Sequence, residues 1–342
     1  MKRRIEARLE TLCRKFGYGP YKMSRFEEYE LYVRNKDFLR SDRVITFSGP
    51  DGRLLAMKPD VTLSIVKNAP ETPGDVRKVY YRENVYRSDS GDFKEILQAG
   101  IECVGDVGTY EVAEVVYLAA KTLDALGDRA ILSLSHVGLI RDALEESGLP
   151  EHARKQAMDC LRRKREQELR QILTEHGADG MRLLNLLRAR VFEDLEPMEQ
   201  SESWRGLRQI MELLAERGCA GRVRLDFSIG NDMKYYSGLV FKGYARGIPS
   251  HILSGGQYDR LLSHMKKKAR AIGFAVYLDQ LEEADDGWDV DTLLLTAGAG
   301  PGEILAAVES ISGTVLAAAS EPKDRSWKRK ARLVNGEVRY LD

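Results

Sequence analysis

The period of the apolar positions changes along the chain, and each change predicts an element. Ile5, Leu9, Leu12 and Phe16 recur three or four residues apart in MKRRIEARLETLCRKFGYG, which predicts an amphipathic helix closed by the breaker-rich FGYGP. YKMSRFEEYELY reads as a strand and then a helical turn. VITFSGPDGRLLAMKPDV reads as a hairpin, with GPDG as its turn. VRKVYYRENVYR and EILQAGIECVG are two more β-rich runs; joined by the polar SDSGDFK, they predict an antiparallel pair with a loop at its tip. YEVAEVVYLAAKTLDALG is an amphipathic helix ended by Gly127, and RAILSLSHV follows as a strand.

After Gly148 the β signals stop. Residues 149 to about 217 are charged, with apolar positions at helical spacing, and form a predicted helical insertion. The basic cluster in ARKQAMDCLRRKREQELRQILTEHG is read as a solvated helix face. Strands resume at RVRLDFSIGNDMKYYSGLVFKGYA, followed by a Gly-rich turn, LSGGQYDRLL. In KARAIGFAVYLDQLEEA a short apolar run leads into a helix that presents Gln280. EEADDGWD reads as a linker. The last stretch, VDTLLLTAGAGPGEILAAVESISGTVLAAA, predicts strand, turn, helix, strand. The expected domains are residues 1–283 and a small α/β piece at 289–342. The β runs mostly lack interleaved crossover helices, so the expected class is α+β, an antiparallel sheet flanked by helices.

Composition narrows the function. Lys plus Arg equals Asp plus Glu at 53 each, so the chain lacks the basic excess of a dedicated nucleic-acid binder. The tail PKDRSWKRKARL is read as charged surface. No run of about 18 apolar residues predicts a membrane span, and the first helix has no apolar leader core, so a cytoplasmic setting is expected. Cys13, Cys103, Cys160 and Cys219 form no CxxC pair, and the five histidines form no HExxH. No metal site, catalytic triad or cofactor is expected, and neither a Walker A loop nor GxGxxG occurs.

Four segments carry candidate binding chemistry. In EILQAGIECVG a period of two puts Gln98, Gly100 and Glu102 on one strand face. An amide, a bare backbone and a carboxylate suit the floor of a polar ligand site; a water-facing strand side is an equal alternative. Arg87, at the end of the preceding run, can fork onto a phosphate or carboxylate, or pair with Asp89 or Asp92. Asp60 and Thr62 in MKPDVT offer a receptor for an ammonium group, or a helix cap, or both. Tyr235 and Tyr236 in MKYYSG, read as strand neighbours, face opposite ways, one inward and one toward a pocket.

Taken in order, these segments resemble the histidyl-tRNA synthetase family and its paralogues over residues 1 to about 283. MKPDVT is similar to that family's Arg-Pro-Glu-x-Thr. YYRENVYR with EILQAGIECVG is similar to the class II motif 2 strands, and MKYYSG to Asp-Tyr-Tyr-Thr-Gly. SGGQYDRLL is similar to Gly-Gly-Arg-Tyr-Asp, and AIGFAVYLDQL to motif 3, Gly-Phe-x-x-Gly-x-(Glu/Asp)-Arg-Leu. The resemblance implies a class II synthetase-like core, with Asp60, Thr62, Arg87, Gln98, Glu102, Tyr235 and Tyr236 as a histidine-like pocket. The C-terminal piece would be a remnant of the anticodon-binding domain.

The departures from the family concern cations. Gln280 stands at the motif 3 arginine and Gln257 at the arginine of Gly-Gly-Arg-Tyr-Asp. Asn231 and Asp232 replace an Arg-Gly, Lys234 replaces the family's aspartate, the motif 2 loop is short and acidic, and Ser24 stands at the motif 1 proline. Cations on transferring phosphoryl groups are worth a factor of about 10³ or more. The pattern therefore resembles the non-catalytic regulatory-subunit family of ATP phosphoribosyltransferase. That resemblance implies a homodimer of synthetase-like cores within a hetero-oligomer, the short-form catalytic subunit as partner, histidine as effector, and no tRNA or membrane partner. The alternative is a divergent histidyl-tRNA synthetase or aminoacyl-adenylate ligase, with Arg82, Lys94 or Lys266 to Lys268 reaching the phosphates.

Overall fold

The computed structural model describes residues 2–39, 44–69, 74–89, 92–198, 201–229, 235–284 and 288–341. The chain forms two compact units, Met1–Glu283 and Ala284–Asp342. The first begins with α1 (Lys2–Lys15), β1 (Gly19–Pro20), β2 (Phe26–Glu28), α2 (Tyr29–Arg34), β3 (Thr46–Ser48), β4 (Leu54–Met57) and α3 (Thr62–Lys67). The long strands β5 (Val76–Asp89) and β6 (Asp92–Gly105) follow, then α4 (Thr109–Leu123), β7 (Ala130–His136) and α5 (Val137–Glu146). Helices α6 (Glu151–Arg163), α7 (Glu166–Glu175), α8 (Met181–Arg188) and α9 (Glu202–Glu216) come next. They precede β8 (Val223–Leu225), β9 (Leu239–Ala245), β10 (Leu253–Gln257), α10 (Asp259–His264) and β11 (Arg270–Tyr277).

Eight of these strands form one sheet in the order β1-β5-β6-β11-β10-β9-β7-β8. Its interior pairings are antiparallel, as the lack of crossover helices implies. The edge pairs β1–β5 and β7–β8 are parallel, so the sheet is mixed. One face carries Ala99, Ile101 and Cys103 of β6, Ile272, Phe274 and Val276 of β11, and Phe241 of β9. They share one core with Ile5, Leu9 and Leu12 of α1, Val115 and Leu118 of α4, and the apolar stripes of α6 to α9. Burying such a side chain contributes roughly 1.5–3 kcal/mol. The other face carries Val79, Tyr81 and Val85, packed with Leu63 and Ile65 of α3, Leu261 and Leu262 of α10, and Ala56 of β4. Strand β4 belongs to a small sheet of order β2-β4-β3.

Three sequence expectations need correction. The SDSGDFK loop is mostly strand, since pairing runs through Ser88↔Phe93 to Asp89↔Asp92. LSGGQ is not a turn but the buried strand β10, inside the sheet, where its glycines admit close neighbours. Tyr235 and Tyr236 precede β9 instead of lying in a strand.

The second unit contains β12 (Val290–Leu295), α11 (Pro301–Ser310), β13 (Val315–Ala318), β14 (Trp327–Val334) and β15 (Glu337–Leu341), with sheet order β13-β12-β14-β15. Ala307 of α11 and Ile311 just after it pack with Leu294, Ala331 and Leu333. The basic run WKRKARLV is therefore a strand. Ala331 and Leu333 face the core, while Lys328 and Arg332 are exposed. Dense charge hides that alternation in the sequence.

Candidate functional site

A cavity of about 30 Å³ lies on the second face of the large sheet, and all seven residues Asp60, Thr62, Arg87, Gln98, Glu102, Tyr235 and Tyr236 line it. Directly paired residues of antiparallel strands point to the same side. Gln98↔Tyr277, Gly100↔Ala275 and Glu102↔Gly273 join β6 to β11; Ser254↔Ala275 and Gly256↔Gly273 join β11 to β10. These pairs form the floor.

The glycines of the floor leave room for side chains to lie flat over them. A Cβ on Gly273 would stand 1.7 Å from Glu102 Oε2, and one on Gly256 would stand 2.6 Å from the Tyr236 ring. At Gly100 it would meet the Tyr81 hydroxyl at 2.6 Å and the Phe274 carbonyl at 2.2 Å. The face that the period of two assigns to Gln98, Gly100 and Glu102 is thus a buried one beside the cavity and not a water-facing one, since Gln98 and Glu102 are buried.

Glu102 is the hub. The Thr62 hydroxyl donates to its Oε1 at 2.8 Å, and the Tyr258 hydroxyl to its Oε2 at 2.5 Å. Burial, then the Glu102 charge, pushes the Tyr258 phenol well above its usual range, so it stays a donor. Asp60 Oδ1 accepts the Leu63 N–H at 2.9 Å and so caps the start of α3 while lining the cavity. Arg87 Nε donates to the Pro59 carbonyl at 3.4 Å. The Tyr235 and Tyr236 rings meet edge to face at 4.8 Å. Both line the cavity, where strand geometry would have sent one away.

The segment bearing Asp60 is tied to β5. Buried Lys58 donates to Glu83 Oε2 at 2.8 Å, the Met23 N–H donates to Glu83 Oε1 at 3.3 Å, and the Tyr86 N–H donates to the Lys58 carbonyl at 2.9 Å. Burial lowers the Lys58 pKa, and Glu83 opposes that shift.

The positions that depart from the family pattern are engaged elsewhere. Gln257 Oε1 accepts the Leu239 N–H at 2.8 Å at the start of β9. Gln280 Oε1 accepts the Ser250 hydroxyl at 3.1 Å. Ser24 Oγ accepts the Phe26 N–H at 3.1 Å. Asn231, Asp232 and Lys234 lie outside the described residues. Of the alternative cations, Arg82 pairs with Glu6 of α1 at 2.7 Å and so points to the opposite face. Lys267 donates to the carbonyls of Lys67 and Ala69. Lys94 shares the cavity's face as the direct cross-strand partner of Arg87, four pairs nearer the hairpin tip than Gln98, and is not among the cavity's described lining residues. Among the described lining residues Arg87 is the one cation, against Asp60 and Glu102. No group of three or more metal-ligating side chains occurs among the described residues.

Sequence reasoning missed Tyr258, Ser254 and Tyr277. Tyr258 was visible in SGGQYDRLL. Tyr277 falls where the motif 3 pattern has its second glycine, a substitution as legible as Gln280.

The eight-stranded sheet, its central β5–β6 hairpin and the cavity over β6, β11 and β10 define a histidyl-tRNA synthetase-like fold. The chain belongs to the histidyl-tRNA synthetase family, whose model matches residues 1–281. A Bacillus subtilis relative named ATP phosphoribosyltransferase regulatory subunit is 30% identical over 323 residues, covering 86% of this chain and 81% of the relative. A solved Bacillus halodurans structure, described as an ATP phosphoribosyltransferase regulatory subunit/histidyl-tRNA synthetase, is similar with a TM-score of 0.72 and 24% identity. The match covers 94% of this chain and 90% of that one. The ATP phosphoribosyl transferase (HisG:HisZ) complex from Thermotoga maritima contains a chain similar at a TM-score of 0.66 and 19% identity, covering 81% of this chain and 97% of that one.

Proposed function

We propose that this chain is a non-catalytic regulatory subunit of ATP phosphoribosyltransferase, supporting the first step of histidine biosynthesis and its feedback control by histidine. The name of the Bacillus subtilis relative supports the assignment. The observation that carries it is the charge of the cavity: among its described lining residues, two carboxylates, an amide and phenols surround a single guanidinium. Such a lining suits the ammonium, carboxylate and imidazole of an amino acid. It does not suit a triphosphate, which adenylation must hold and neutralise. Gln257 and Gln280 carry no charge, and both are spent on local hydrogen bonds. We read the adenylation machinery as lost.

The partner is the short-form catalytic subunit, in a hetero-oligomer built on a homodimer of these cores. Phe26, Val33, Phe47 and Leu54 leave apolar surface on or beside the three-stranded sheet, a surface fit for self-association. Histidine acts by binding the active and inactive states of the complex unequally. The cavity as it stands has room for a water or two, so histidine enters by moving lining side chains apart. The setting is cytoplasmic, and the second unit is a reduced anticodon-domain remnant. No helix among the described residues is long and apolar enough to cross a membrane.

Co-expression with the catalytic subunit tests the assignment. One complex on size exclusion is expected; two separate peaks contradict it. The rival reading, a divergent synthetase or adenylate ligase, has Lys94 on the cavity's side of the sheet in its favour. Histidine-dependent ATP–pyrophosphate exchange by the pure chain would establish that reading and remove ours.

A further inference from the structure

We propose that Tyr277 is the specificity-determining residue that closes this cavity to nucleosides. The inference rests on the reading of the cavity as an amino-acid site. On β10 and β11 the floor is Ser254, Gly256, Gly273, Ala275 and Tyr277, four small residues and one large one. A floor of small residues on two adjacent strands leaves a flat trough that a planar ring can lie in. Tyr277 stands at the end of that trough, paired with Gln98.

Its phenol does not point away from the sheet into solvent. Tyr277 is 6% exposed. Its hydroxyl lies 2.8 Å from Ser254 Oγ, and Ser254 pairs with Ala275, two residues back along β11. The ring therefore leans across Ala275 toward β10 and covers that end of the trough. The His251 ring meets it edge to face at 5.5 Å and an interplanar angle of 81°. The Tyr277 N–H donates to the Ile252 carbonyl at 2.8 Å, so its backbone is fixed by the sheet. A side chain held at hydroxyl, ring and backbone is a fixed plug.

Removing the phenol joins the space above Ala275 and Ser254 to the existing cavity. An apolar cavity of about 150 Å³ takes benzene. The opened trough would also offer the Gln98 amide and the Ser254 hydroxyl to the edge of a heterocycle. The loss of phosphate-binding cations and the presence of this plug are separate barriers, one of charge and one of space. Restoring arginines alone would not restore nucleotide binding.

The probe is adenosine, which has the nucleoside ring and no phosphates, so its binding does not depend on cations. Calorimetry would compare the full chain with Tyr277→Gly, Tyr277→Val and Tyr277→Phe, each checked for native circular dichroism and oligomeric state. Tyr277→Val keeps a strand-forming residue in case the glycine variant does not fold. The parent and Tyr277→Phe are expected to give no binding at millimolar adenosine. At least one truncated variant is expected to bind it ten-fold or more tightly than that limit. Adenosine binding by the parent chain overturns the proposal, and so does a folded Tyr277→Val that binds no better than Tyr277→Phe. Assembly with the catalytic subunit and histidine binding, measured on the same samples, report separately on the regulatory reading.

Discussion

Glu102 joins three elements at one carboxylate: β6, the start of α3 through Thr62, and the segment before α10 through Tyr258. Glu102→Ala would leave two hydroxyls without their acceptor in a closed site. Histidine affinity is expected to fall ten-fold or more in calorimetry; unchanged affinity would move the effector to another site. Gly273→Ala reaches the same carboxylate by another route, because its methyl would collide with Glu102 Oε2 and with the Ile101 carbonyl at 2.5 Å. That overpacking is expected to cost about 1–3 kcal/mol in urea unfolding and to weaken histidine binding as well. Gln98 and Glu102 were legible because strand period reports which side chains share a face, while Asp60, Thr62, Arg87, Tyr235 and Tyr236 were gathered into one pocket by the family resemblance. Tyr81 and Ser254 were not, since each joins the cavity through strand pairings remote in sequence, and pairing is not written in a single strand. The closed volume was illegible for the same reason: it depends on how Tyr81, Tyr236, Glu102 and Tyr277 fold over their glycine and serine neighbours.

Among the elements, the Lys58–Glu83 pair fastens the α3 approach to β5. Removing one partner of a buried ion pair costs about 3–5 kcal/mol, so Lys58→Ala is expected to lose stability on that scale in urea. The double change Lys58→Met with Glu83→Leu is expected to recover much of the loss, short of the hydrogen bond from the Met23 N–H. His136 closes β7 with its Nδ1 enclosed and without a partner among the described residues. Burial, then the Arg141 charge, pushes its pKa down from 6.5 to about 4. The folded state then binds fewer protons than the unfolded state below pH 6.5. Stability present above that pH is lost as pH falls toward 4, by up to about 3 kcal/mol. His136→Asn is expected to flatten that part of the stability–pH curve. Helices were the more legible elements: the α1 stripe Ile5, Leu9 and Leu12 is buried as its spacing implied. β10 was misread because glycine signals a turn when isolated, yet inside a sheet it signals close approach. β14 was hidden by four Lys or Arg side chains around two core residues.

For the whole molecule, the order of motifs identified the family although no single motif did. What the fold alone leaves open is activity, since the same sheet supports a synthetase and a regulator. On the proposed reading the difference lies in a few charges and one ring: Gln257 and Gln280 satisfy neighbours, Arg87 is the one cation among the described lining residues, and Tyr277 covers the floor. The sharpest test is reconstitution. The short-form catalytic subunit would be assayed for ATP- and phosphoribosyl-pyrophosphate-dependent product formation, alone and with this chain, at rising histidine. A marked rise in rate on adding the chain, reversed by histidine and less readily so with Glu102→Ala, is the expected result. A rate unaffected by the chain, with histidine-dependent ATP–pyrophosphate exchange by the chain itself, would contradict the account.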